Sequence, residues 1–181
     1  MNKLEIVEKL KSTCDLLVKS VENVNTHDFY ASKNEKWSAA QNIAHLTLST
    51  KIMNRAFSAP KIALWYKFGR RFKGESRSYE TIINIYNEEN NKPRNTTTGF
   101  EPKMKPESTV SYEIKNFKEF HDAMFTNLEN WSDKQLNTYL LPHPLIGKLT
   151  IKEMLYFVDY HILHHQKAIN IALEKLQLPN S

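Results

Sequence analysis

The sequence predicts an all-α protein, a bundle of four long helices, on three observations. Four stretches carry apolar side chains at mainly three- and four-residue spacings, the mark of a helix with one buried face. No alternating pattern is strong enough to build a sheet, and no internal repeat is present. Long amphipathic helices must bury their apolar stripes on one another, and a bundle achieves this.

The first helix spans residues 3 to 22, with Leu4, Ile6, Val7, Leu10, Leu17, Val18 and Val21 in register. Cys14 lies within it and is expected to be a small core residue. The second helix runs from about 38 to 58, because Ser38 can cap its start and Pro60 stands just beyond its end. A shorter helix is placed over 60 to 70. From Gly74 to Ser108 the periodicity weakens into "EENNKPRNTTTGFEPKMKPES", which predicts a long irregular connection between the second and third long helices. The third helix follows from "VSYEIKNFKEFHDAMFTNLENW", where Ile114, Phe117, Phe120, Met124 and Leu128 share a side. "SDKQLN" closes it or begins a short turn. "YLLPHPLIGKLT" holds two prolines and a glycine and is expected to be turn-rich, after which Thr150 caps a fourth long helix reaching about Leu176.

The 181 residues are expected to form one domain, 1 to 181, large enough for a core without a metal or disulfide staple. A single cysteine excludes an internal disulfide and agrees with a reducing compartment. "MNKLEIVEKLKST" mixes charges through its apolar positions, so neither a signal peptide nor a membrane anchor is expected, and the predicted location is cytoplasmic. The net charge of +5 is concentrated. Residues 51 to 77 hold Lys51, Arg55, Lys61, Lys67, Arg70, Arg71, Lys73 and Arg77 against Glu75, eight minus one, or +7. Aromatic residues interleave with them. The segment reads either as a helix with a solvated basic face or as a grip for an anion, a nucleic acid being the less expected partner.

"DYHILHHQKAIN", residues 159 to 170, raises the question of metal ligation. His161 and His165 stand about 6 Å apart along a helix and about 40° around it, so both rings can share one ion. Their face also carries Ile151, Met154, Val158, Ala168 and Ala172, and on the second helix His45 shares a face with Leu48, Ile52 and Ala56. Both faces are expected to look inward. Three buried imidazoles must stay neutral and find partners, which either a metal ion or hydrogen bonds within the core would supply. Ile162 replaces the glutamate of the H-E-x-x-H pattern, so a zinc peptidase is set aside. His143 reads as a turn residue and His164 as an outer-face neighbour. Gln41, one turn before His45, reads as a ligand-orienting group or a surface amide.

"KWSAAQNIAHL" (36 to 46) and "HPLIGKLTIKEMLYFVDYHILHHQKAI" (143 to 169) resemble two signature regions of the DinB-like superfamily, which includes YfiT-type metal-dependent hydrolases. The resemblance implies an up-down-down-up bundle in which Trp37 and Ser38 open the second helix. It also implies that His45, His161 and His165 hold a divalent metal ion, zinc or nickel. It further implies homodimers, a small-molecule substrate and, among relatives, thiol-dependent transfer using mycothiol, bacillithiol or glutathione as co-substrate. Arg70 and Arg71 could then draw in a carboxylated thiol, or simply aid solubility. The expected function is metal-dependent thiol S-transfer or hydrolysis; the alternative is a non-catalytic, stress-associated bundle that binds a metal or a small molecule.

Overall fold

A computed structural model of the protein describes residues 1–33, 36–92, 102, 104 and 108–177. The long helices are α1 (Lys3–Val21), α3 (Ala39–Phe57), α6 (Val110–Glu129) and α8 (Ile151–Gln177). Between them lie α2 (Thr26–Tyr30), α4 (Lys61–Phe68), α5 (Tyr79–Asn90) and α7 (Asp133–Thr138). A hairpin of β1 (Leu140–His143) and β2 (Gly147–Thr150) precedes α8.

Helix starts follow from the capping residues. The Ser38 hydroxyl accepts from the Gln41 amide while the Gln41 side chain accepts from the Ser38 amide, a reciprocal capping box. Gln41 is thereby assigned to the helix start rather than to a ligand. Thr150 and Glu153 exchange the same pair of bonds at the start of α8, as expected of Thr150.

α1 and α3 each pack against both α6 and α8, so the helices form a square with α1 and α3 on one diagonal. Side-chain pairs across the square give the directions. Thr50 meets His121 and Asn54 meets Asn127, so α3 and α6 run parallel. Asn42 meets His165 and His45 meets His161, so α3 and α8 run antiparallel. Lys3, at the start of α1, reaches the carbonyls of Leu128 and Glu129 at the end of α6. The order is up-down-down-up, and its core includes Leu10, Leu17, Ile43, Phe117, Met124, Leu155 and Ile162. Cys14 lies in this core, where burial pushes its thiol pKa far up.

Parallel neighbours α3 and α6 need a long return connection, and residues 58 to 109 supply it. This connection is less irregular than its composition predicts. Part of it is α5, capped by Ser78 and packed on α8 through Ile82 and Tyr86; most of 93 to 107 lies outside the described residues. The connection from 139 to 150 has its expected turn at 144–146, and the residues on either side pair as four-residue antiparallel strands, Gly147 opening the second at φ +74°.

Much of the basic segment is structural. The Glu153 carboxylate, fully buried, accepts from the Arg71 and Arg77 guanidiniums at 3.0–3.1 Å and from the Arg77 amide at 2.7 Å. Burial alone would raise its pKa, but the hydrogen bonds of Arg77 and the Thr150 amide, with the Arg77 charge, bring it down to about 2. Arg70 instead lies over the rings of Trp65 and Tyr139. Glu153 thus fastens the connection to the head of α8. Glu153→Ala, which removes the hydrogen bonds of the carboxylate to two partly exposed guanidiniums and one half of the capping box, is expected to cost about 2–3 kcal/mol in urea unfolding. A loss below about 1 kcal/mol would mean that the clamp does not hold the connection.

Candidate metal centre

His45 projects from α3 and His161 and His165 from successive turns of α8, and the antiparallel crossing brings them together. His161 Nε2 lies 3.2 Å from His45 Nε2 and 3.0 Å from His165 Nε2. One ligand atom from each residue falls within 4.8 Å of the others. Four nitrogens at about 2.0 Å from a tetrahedral centre sit about 3.3 Å apart, so two of the three separations already suit a shared cation.

Protonation follows from the neighbours. The Asn42 side-chain nitrogen donates to the carbonyls of Ser38 and Trp37 at 2.8 and 3.3 Å, which fixes the amide orientation and turns Oδ1 toward His165. The 2.7 Å contact with His165 Nδ1 must therefore be an Nδ1–H donating to Oδ1. Neutral His165 then presents a bare Nε2 lone pair to the cluster. Burial, with the fields of His45 and His164, lowers its pKa to about 3. Burial and the neighbouring histidines likewise hold His161 well below the usual imidazole range. Three ring nitrogens gathered at one point, those of His161 and His165 kept neutral by burial, are compatible with metal binding.

Aromatic walls hold the rings. The Trp37 indole lies nearly parallel to the His165 ring at 6.1 Å, and Phe157 is stacked on His161 at 4.8 Å. A cavity of about 270 Å³ opens beside the cluster, bounded by Trp37, Tyr86, Leu145, Met154, Phe157 and His164 among others. His45 looks inward as expected, its ring against His161, His165 and Trp37, while Ile52 on the same face is exposed at the cavity rim and departs from the inward reading. The deeply buried stripe of α3 runs instead through Ile43, Leu46 and Thr50. The cluster consequently sits on the flank of the bundle, where a small molecule can approach.

His143, the last residue of β1 rather than part of the turn, accepts the Leu145 and Ile146 amides on Nδ1 at 3.1 and 3.3 Å, and its ring borders the cavity. His164 is half-buried against the cluster rather than outside it. Sequence reasoning passed over Asn42, whose signal was a buried-register amide one turn before His45. It also missed His121, which bonds to Thr50 Oγ1 and the Phe117 carbonyl.

Fold and cluster together define a helical bundle with a flank site of three imidazoles. A sequence profile of the DinB superfamily matches residues 9–169, and the chain belongs to that superfamily. Among solved structures it is similar to YfiT from Bacillus subtilis, described as a probable metal-dependent hydrolase with an unusual four-helix bundle topology. The likeness has a TM-score of 0.62 at 16% identity and covers 99% of this chain and 91% of that one. No curated protein gives a significant match. Among the described residues, no helix is long and apolar enough to cross a membrane.

Neutral burial of these rings has a measurable consequence. His165 and His121, the latter lowered to about 4 chiefly by burial, have folded pKa values below their ordinary 6.5. The unfolded chain therefore binds protons first as pH falls. Their stability contribution is complete above about pH 6.5 and declines toward about pH 4 for His121 and about pH 3 for His165. Urea midpoints of metal-free protein should drop across that interval, and less so for His121→Gln. Equal midpoints at both ends would contradict neutral burial.

Proposed function

We propose that the protein is a divalent-metal-dependent enzyme acting on a small molecule, with His45, His161 and His165 as ligands and hydrolysis or thiol S-transfer as the reaction. The observation that carries this reading is the mutual approach of three Nε2 atoms beside an open cavity. Superfamily membership and the description of YfiT support it. A zinc or nickel ion bound there would supply Lewis-acid activation of water or of a low-molecular-weight thiol.

The chain's own groups prepare that chemistry. Asn42 keeps the His165 Nε2 lone pair available, and Trp37 and Phe157 limit ring rotation and exclude water from two sides. The cavity walls, largely apolar, suit an uncharged substrate portion. A purely structural ion ordinarily has a closed shell of protein ligands, whereas three histidines beside a cavity leave room for a reactant. A homodimer is part of this reading by family resemblance, and sedimentation will decide it.

Metal analysis of protein purified without an affinity tag is the first test, followed by transfer of several low-molecular-weight thiols to an electrophile. His161→Ala should remove bound metal and metal-dependent turnover and leave most of the helical circular dichroism, because apolar faces hold the bundle. Full activity in this variant would rule out metal catalysis through His161. Asn42→Ala should weaken metal binding by roughly 10–100-fold in competition with a chelator, the range typical of lost ligand-orienting bonds. Unchanged affinity would remove Asn42 from the site.

A further inference from the structure

The histidine cluster has a second approach with different chemistry. Trp37, His164 and His165 border the apolar cavity and also a separate groove of about 400 Å³. The groove's charged walls are Lys33, Lys36 and Lys175, and no acidic residue stands among its described walls. Its floor includes Ala168 and Ala172, whose short side chains leave the space open. Lys33 Nζ donates to the Lys175 carbonyl at 3.3 Å, which ties the segment before α3 to the last turn of α8 and brings the lysine-bearing segments together.

Some cations of the bundle meet acids, Lys9 with Asp159 and Arg71 and Arg77 with Glu153, and others lie over aromatic rings, as Arg70 does. The lysines of the groove surround a concavity instead. Like charges around one hollow repel, and an anion in the hollow offsets that repulsion. The volume lies within the range of small-molecule sites and exceeds what a single simple ion fills. With Lys33 already donating to a carbonyl, Lys36 and Lys175 best match a ligand of two negative charges.

We propose that this groove is an anion subsite of the histidine centre. It takes the doubly charged end of a small organic molecule, a dicarboxylate or a phosphate monoester, whose uncharged part reaches the histidines past Trp37. The proposal rests on the reading of the cluster as a reaction centre. It gives that centre two unlike compartments, one apolar and one basic, meeting at Trp37 and His165.

Binding can be read without turnover from the indole N–H resonance of Trp37, assigned by its disappearance in Trp37→Phe. Metal-free protein is titrated with succinate, methyl phosphate and uncharged succinamide, so that no anion can bind through a metal. The expected result is a saturable shift with at least one dianion and none with succinamide, the tighter dianion naming the carboxylate or phosphate class. The Lys36→Glu/Lys175→Glu variant should bind that dianion at least about tenfold more weakly, since two attractive charges become repulsive. Lys36→Gln/Lys175→Gln serves if the charge reversal disturbs helical circular dichroism. No saturable shift with either dianion, an equal shift with succinamide, or undiminished binding by the variant would overturn the proposal. Metal content is measured in parallel on zinc-loaded protein. Dianion binding without metal binding would leave the groove standing and remove the metal reading; metal binding without a dianion response would do the reverse.

Discussion

The antiparallel crossing of α3 and α8 is the contact on which the site depends. It sets Asn42 opposite His165 and His45 opposite His161, so helix direction and imidazole chemistry are fixed by the same pairs of residues. The crossing also explains how the rings are accommodated: each lies against another imidazole, an amide or an aromatic face.

Topology then supplies the rest of the site. Because α3 and α6 run parallel, the chain must return along the bundle between them, and that return lays α5 over α8. Tyr86, within the long connection, thereby reaches within 6.5 Å of His161 in the last helix, ring to ring. The Glu153 clamp holds the other end of this return against the head of α8. A buried carboxylate with two guanidiniums is a poor source of net stability, but it has few alternative partners, which makes it effective at fixing register.

The long helices were legible because their apolar period is strong and their caps are chemically explicit; Ser38 and Thr150 needed only sequence to be placed. α5 was obscured by its composition, since "YETIINIYNEEN" buries little beyond Ile82 and Tyr86 and its many asparagines resemble a loop. The hairpin was hidden for a different reason. Its strands have four residues each and one contains Pro142, so no alternation could develop, and the pairing is decided by the Gly147 turn and by packing against α8. The histidine trio was recoverable from helical spacing and family resemblance, but the exposure of Ile52 on the same face of α3 was not. A helix touching both α6 and α8 buries a broad arc, and spacing alone does not say which edge of that arc a residue occupies.

That edge position matters for chemistry. At the centre of the bundle three imidazoles would be sealed by leucine and isoleucine, and any bound ion would be closed to reactants. On the flank, the same rings keep a dry, aromatic-walled setting on their inner side and meet two openings on the other. A low-polarity wall strengthens electrostatic interactions inside the site, while an opening admits the molecule on which they act. Trp37 is placed where both requirements meet, stacked on a buried histidine and bordering both openings, so a change in either compartment bears directly on the ring that orients His165.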